Sequence, residues 1–383
     1  MTDRKRRAEQ RFEEVEDDLR TLSRWMYDNP ETAFQEHRTS ARLAEFLAEN
    51  GLQVEYPAYG LDTAFAARAG TAGPEVVICC EMDALPEVGH ACGHNIIATA
   101  ALGAGVAVAD QAEQLGIRVT VLGTPAEEHF GGKVDLIDAG AFADAAAAMM
   151  VHPSYLDVVD PAVIAVIHVD VDFYGHESHA SSSPHLGVNA LDAAVQAYIN
   201  VSTLRQQILP TDRIHGIITH GGAAPNIIPG HTAMSWYVRS ETDERLDELY
   251  PRVVSCFQAA ADATGCRLEV RQVGHRYQDL RNDPVLVDLY AANSSAVGRP
   301  MPRLEEISER GTGSTDMGNV SHVVPSIHPM LGIGCYPVVN HQKEFAAHTI
   351  TTDGEQAIRH GALAMAGTII DLAEGDRWQD LGR

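Results

Sequence analysis

Residues 81–94 read EMDALPEVGHACGH, which brings Asp83, His90, Cys92 and His94 into one short stretch. An apolar run at 76–80 precedes it and reads as a buried strand. Pro86 and Gly89 then turn the chain, and from Ile96 a small-residue pattern, IIATAALGAGVAVADQA, reads as a helix. A thiol, imidazoles and a carboxylate gathered where a strand ends and a helix begins suit a borderline divalent ion. Zinc comes first, with manganese or cobalt as substitutes. Three further clusters offer related chemistry. Glu127 and Glu128 are neighbours on a turn after an apolar run at 118–122, His152 follows a strand pattern near 146–151, and His341 lies in VVNHQKEF. Neighbouring carboxylates on an irregular turn can point apart, so one can bind an ion while the other holds a proton for a water.

Each cluster also has an ordinary explanation. With 18 histidines in the chain, most must be surface or core residues. A Glu-Glu pair is more often a solvated turn, and Cys-x-His alone is not diagnostic. The recurrence of such residues at successive strand ends is what points to a metal-dependent hydrolase.

The elements that position these residues follow from periodicity. Two helical patterns occupy 8–50 with a turn at 25–31, and strands are expected at 52–57, 63–69 and 75–81. A helix at 133–139 then separates the strand patterns of 118–122 and 146–151, and this alternation indicates an α/β sheet with parallel strands. From Ile164 the chain changes character: IAVIHVDVDFY alternates with period two, as a half-buried antiparallel strand does. A helix at 188–207, strands at 213–219 and 231–240, a helix at 243–263 and a strand at 266–273 complete a β-helix-β-β-helix-β order. A helix at 283–297, strands near 320–335 and a helix at 354–374 return to the first domain. The expected organisation is a discontinuous catalytic domain, 1–165 and 277–383, with an inserted α+β domain at 166–276.

At 383 residues, 45% apolar and 21% charged, the chain suits two globular domains. A formal charge of −25 argues against nucleic acid or an anionic membrane as partner. No run approaches the roughly 18 apolar residues of a membrane span. The charged start MTDRKRRAEQRFEEVEDDLR lacks an apolar leader core, and six scattered cysteines do not form a disulfide framework. A cytoplasmic location is expected.

The longer motifs carry a resemblance. HACGH after EMDALP, TPAEE followed by a Gly-Gly pair, the His-Pro at 152–153, GHESHASSSP, RIHGIITHGGAAPNIIPG, GSTDMGNVSHVVPSIHP and HQKEF resemble the M20 metallopeptidases and amidohydrolases over nearly the whole chain. Among them the likeness is to the aminoacylase-1-like 2 (peptidase M20 domain-containing 2) and aminobenzoyl-glutamate hydrolase branch. It implies a catalytic domain with a central, mostly parallel sheet and an inserted ferredoxin-like domain for dimerisation and lid closure. It also implies two divalent ions per subunit of a homodimer, held by Cys92, His94, Glu128, His152 and His341. His348 is the alternative to His341. Glu127 would be the general base and Asp83 would orient a ligand. His179 would stabilise the oxyanion from the other subunit, Asn226 would lie near the substrate, and Arg239 is a candidate grip for a free carboxylate.

The reaction implied is hydrolysis of an N-acyl amino acid or an aminobenzoyl-glutamate-like amide. A dipeptidase on the same site is the alternative. A catalytically silent metal-holding homologue is disfavoured, because every expected ligand type and Glu127 are present. The sequence departs from the family pattern at Glu81, where Asp is common, and at Gln342, where Thr or Ser is common.

Overall fold

The computed structural model describes residues 2–308 and 312–382. The chain forms two compact units, one of residues up to Ala162 together with those from Leu280 onward, the other Val163–Asp279.

The first unit is built on a six-stranded sheet with spatial order Gln53–Glu55, Phe65–Ala69, Arg118–Thr124, Glu75–Glu81, Ala145–Met149, Ser326–Ile327. The last four run parallel, and the first two are antiparallel additions at one edge. Every residue of the central strand EVVICCE is buried, as a strand covered on both faces must be. The helix His94–Ala109 is buried along nearly its whole length, and its small residues let it lie close to the sheet. A Cβ at Gly105 would come within 2.2 Å of Val121 Cγ2. The long helix Thr352–Glu374, apolar along most of its length, packs against it.

Three amphipathic helices, Asp3–Glu13, Glu16–Asp28 and His37–Glu49, cover this core with Phe12, Leu19, Leu22, Met26, Leu43 and Leu47. The periodicity of 8–50 suggests two helices with a turn at 25–31. The structure instead continues the second helix through Asp28, because Leu19, Leu22 and Met26 sustain one buried stripe. The region expected as strands near 320–335 also differs. It begins with the helix Met317–Val323, and only the short strands Ser326–Ile327 and Met330–Gly332 follow. Pro325 and Pro329, which cannot donate to a ladder, bracket the first of these.

The second unit is a four-stranded antiparallel sheet in the order Arg267–Gln272, Ala165–Tyr174, His231–Ser240, Arg213–His220. Its two helices, Ala190–Leu204 and Asp243–Thr264, complete the ferredoxin-like β-helix-β-β-helix-β order. Along His231–Ser240 burial alternates strictly, with Met234, Trp236 and Val238 joining Phe173 and Phe257 in the core. A small ladder, Ser178–His179 against Ile227–Ile228, lies outside the main sheet. Among the described residues no helix is long and apolar enough to cross a membrane.

Candidate metal and hydrolytic site

The candidate ligands of the first unit come from the ends of its central strands. The strand Glu75–Glu81 delivers Glu81 at its last position and Asp83 two residues on. The chain returns through Cys92 and Gly93 into the helix that starts at His94. Gly93 has φ +83°, and a Cβ there would meet Pro153 Cγ at 2.3 Å, so Cys92 and His94 flank a position open only to glycine. The neighbouring strand Arg118–Thr124 runs into Glu127 and Glu128 through Ala126, whose φ is +60°. His152 starts the short strand His152–Ser154. His341, at φ +70°, is fixed by its backbone N–H donating to Ala91 O at 2.8 Å.

These segments converge. Cys92 Sγ lies 3.4 Å from both His152 Nε2 and His341 Nε2. Glu128 presents Oε1 3.7 Å from His94 Nε2 and Oε2 3.6 Å from His341 Nε2. Among the described residues three sets of atoms lie close enough to hold an ion: Cys92 with His94 and His152, Cys92 with Glu128 and His341, and Glu81 with His94 and Glu127. Cys92 belongs to the first two. His348, at the end of the helix Lys343–His348, belongs to none of these sets.

Hydrogen bonds fix which ring nitrogens face the cluster. His94 Nδ1 donates to Asp83 Oδ1 at 3.1 Å, and His152 Nδ1 donates to Pro153 O at 2.8 Å. Each ring therefore turns Nε2 inward, the orientation that metal-binding imidazoles adopt. Asp83 also accepts the backbone N–H groups of Glu127 and Glu128, at 3.3 and 3.0 Å, which ties the Glu-Glu turn to His94.

The electrostatics favour a cation. Burial disfavours charge on His94, yet Asp83, Cys92 and Glu81 overcome it and hold its pKa well above the usual imidazole value. Burial, with Glu128 next, keeps the Cys92 thiol well above its usual range. Burial, with Glu81 and Glu128, raises Glu127 well above the carboxylate range. Glu128 is raised to about 7, mainly by burial. His94 Nε2, Glu128 Oε1 and Glu81 Oε2 are buried with no hydrogen-bond partner among the described residues. A desolvated, carboxylate-rich cluster with soft and hard donors, several of whose inward atoms have no hydrogen-bond partner among the described residues, fits divalent ions.

Three residues of this neighbourhood carry no mark in the sequence as site residues. Lys133 is completely buried, and its Nζ donates to Glu81 Oε1 and Asp316 Oδ1. Glu36 is buried, accepts the Ala126 N–H at 2.9 Å, and is raised to about 7 by burial and Asp83. His328 is buried with its ring 5.3 Å from that of His152. Lysine and glutamate in polar local sequence read as surface residues, and their partners are remote in the chain, so no local signal distinguishes them.

The remaining candidates stand in the second unit. His179 is exposed, and its Nδ1 accepts the backbone N–H groups of Ser181 and Ser182 at 3.3 and 3.2 Å. The neutral ring therefore carries its proton on Nε2. Asn226 is beside it, its carbonyl accepting the Ala180 N–H at 3.0 Å. Arg239 is elsewhere on the sheet, toward the opposite end of the 10-residue strand His231–Ser240 from the Tyr174–His231 pair that leads to the His179 ladder. Eight residue steps from His231 to Arg239 span about 26 Å of strand, so His179 and Arg239 of one unit do not meet.

Likeness to known proteins decides the family. The sequence pattern of peptidase family M20/M25/M40 matches residues 77–371. This chain belongs to that family. Over 96% of its length it is 41% identical to the Xaa-Arg dipeptidase of Mus musculus, covering 88% of that protein. It is 31% identical to one of the subunits of the p-aminobenzoyl-glutamate hydrolase of Escherichia coli, over 68% of this chain and 57% of that one. The crystal structure of a Bacillus subtilis dinuclear metal-binding peptidase of the M20 family shares the fold, with a TM-score of 0.73 at 19% identity, covering 94% of this chain and 99% of the other. The protein is thus a hydrolase of the M20 type, and its strand-end cluster offers groups that could hold a metal ion.

Proposed function

We propose that this M20 hydrolase uses two divalent ions to cleave the amide bond of a small substrate with a free carboxylate. Dipeptides ending in a basic residue are the first candidate class, and aminobenzoyl-glutamate or other N-acyl amino acids are the second. The observation that carries the reading is the convergence of Cys92, His94, Glu128, His152 and His341 beside Glu127. The preference for dipeptides follows the more extensive likeness, to a protein named for Xaa-Arg dipeptides.

An amide is a poor electrophile and water a poor nucleophile at neutral pH. Divalent ions at the cluster, zinc first, would supply an acidified water and polarise the scissile carbonyl. Glu127 is the proton acceptor: its carboxylate oxygen stands 3.8 Å from His94 Nε2, and burial gives it the proton affinity that the task needs. It returns the proton to the leaving amine. Asp83 holds the His94 ring and the backbone of the Glu-Glu turn in register. His179 offers an Nε2–H for the developing oxyanion, a role that the acceptor duty of its Nδ1 preorganises. Asn226, alongside, contacts the substrate, and Arg239 pairs with its carboxylate in bidentate fashion.

One substrate molecule cannot reach both His179 and Arg239 of a single inserted unit. This supports a homodimer in which one copy supplies His179 to the site of the other. The exposed strand Arg213–His220 at the sheet edge, with Ile217 and Ile218, and the exposed Val195, Tyr198 and Ile199 of the helix Ala190–Leu204 offer the apolar surface that such pairing would bury. The inserted unit would then be both dimerisation surface and lid. All six cysteines are free thiols, in keeping with a cytoplasmic enzyme.

The test is hydrolysis by purified protein stripped of metal and resupplied with zinc, manganese or cobalt. The panel holds Xaa-Arg and Xaa-Lys dipeptides, apolar dipeptides, aminobenzoyl-glutamate and N-acetyl amino acids. Metal-dependent amine release, fastest from the basic dipeptides, is expected. Faster release from aminobenzoyl-glutamate or an N-acyl amino acid moves the assignment to the second class. Silence across the panel with metal bound overturns both.

A further inference from the structure

The strand Glu75–Glu81 ends in a carboxylate that the reaction outlined above leaves unused. Glu81 Oε1 accepts from Lys133 Nζ at 2.6 Å. The same Nζ donates to Asp316 Oδ1 at 2.7 Å, and Asp316 Oδ2 accepts the Lys133 backbone N–H at 2.9 Å. The Lys133, Glu81 and Asp316 side chains have no exposure to solvent. Glu81 Oε2 points the other way, 3.5 Å from His94 Nε2, in a set with Glu127 whose ligand atoms lie within 4.8 Å of one another. That oxygen has no hydrogen-bond partner among the described residues.

Stability alone does not account for this arrangement. Burying three charges costs more than packing apolar side chains of the same volume, unless geometry and further hydrogen bonds offset the loss of water. Leaving one carboxylate oxygen without a donor adds to the cost. The arrangement makes sense if a positive group meets that oxygen. The lysine is well placed to hold the geometry. It follows Gly132, where a Cβ would approach Pro125 O to 2.1 Å, so its helix start is pressed against the turn that carries Glu127 and Glu128.

We propose that Glu81 is a further carboxylate of the metal site, presenting Oε2 to the ion beside His94, and that Lys133, anchored by Asp316, is the positioning residue that keeps its other oxygen occupied. The inference rests on the two-metal reading above. It makes Glu81 a contributor to ion affinity and coordination, and Lys133 a residue that acts through Glu81.

The experiment uses full-length protein stripped of metal and titrated with Co²⁺, read by visible absorption and by competition with a chelator. Glu81→Gln, Lys133→Met and the double variant are compared with the parent. Glu81→Gln is expected to weaken one of two binding events by roughly 10–100-fold and alter its absorption bands, leaving the other intact. Lys133→Met should weaken the same event, and the double variant should bind no more weakly than Glu81→Gln. Where Lys133→Met folds poorly, Lys133→Met with Asp316→Asn takes its place, since it leaves fewer unpaired buried charges. Parental affinity and spectrum in Glu81→Gln overturn the proposal, as do fully additive losses in the double variant. Parent protein that binds no Co²⁺ would instead sink the two-metal reading itself.

Discussion

Asp83 Oδ1 holds His94 Nδ1 at 3.1 Å while the same carboxylate accepts the backbone N–H groups of Glu127 and Glu128. One side chain thereby sets the tautomer of a candidate ligand and the position of the candidate base. Asp83→Asn places an NH₂ group where at least one N–H donor now points. Metal affinity should fall roughly 10–100-fold, and turnover should fall with it even at saturating metal. Calorimetric metal titration beside kcat measurement checks this, and parental values for both would remove Asp83 from the site.

Glu127→Gln keeps shape and removes the proton acceptor. The variant should bind both ions and melt at or above the parental temperature, while kcat drops by about 10²–10⁴-fold. Substantial turnover in this variant would reassign the base.

Metal uptake should release protons. The Cys92 thiol is raised well above its ordinary range by burial and Glu128, and Glu128 itself is raised to about 7 by burial. Ligands must shed these protons to bind, so affinity should fall as pH drops from 8 to 6, by about tenfold per unit for each proton displaced. Calorimetry in buffers of different ionisation enthalpy counts the protons, and a count of zero contradicts the ligand assignment.

Glu36 governs a different pH response. Its carboxyl is raised to about 7 by burial and by Asp83, above the unfolded value near 4.5. The folded protein therefore binds more protons than the unfolded chain between those values, and stability falls as pH rises through that window. Glu36→Gln, which keeps an acceptor for the Ala126 N–H, should flatten this part of the profile. The stripped variant should gain on the order of 1–3 kcal/mol over the stripped parent near pH 7.5. Denaturant melts at pH 5 and pH 7.5 decide the matter: an unchanged difference between parent and variant would exclude Glu36 as its source.

The two-copy site can be tested by mixing. His179→Ala and Glu127→Gln should each be nearly inactive. Subunits exchanged at equal ratio should regain about a quarter of parental activity, because half the dimers then hold one site with both residues intact. No recovery despite confirmed exchange would place His179 in its own chain's site, or outside catalysis.

Much of this is legible in the sequence. The parallel sheet announces itself through uniformly apolar runs such as EVVICCE, and the inserted unit through the strict alternation of 164–174. Cys92, His94, Glu127, Glu128 and His152 stand out because each ends or follows a strand. The break that divides the first helical pattern into Asp3–Glu13 and Glu16–Asp28, and the helix Met317–Val323, do not, since short amphipathic or β-branched stretches take their conformation from what they pack against. Lys133 and Asp316 are invisible for a related reason. Their meaning lies in an ion pair spanning 183 positions of sequence, which no local pattern encodes.

The discontinuity of the first unit also orders events at the ribosome. Cys92, His94, the Glu-Glu pair and His152 are all synthesised before the Val163–Asp279 insertion, whereas Asp316 and His341 come after it. A nascent chain that ends within the insertion holds Lys133 and Glu81 without their third partner and a cluster short of one donor. The buried ion pair cannot be fully matched before Asp316 is made, nor the candidate ion cluster gain its last donor before His341. By then the whole Val163–Asp279 unit has been made, so the candidate cluster comes together only across a completed insertion.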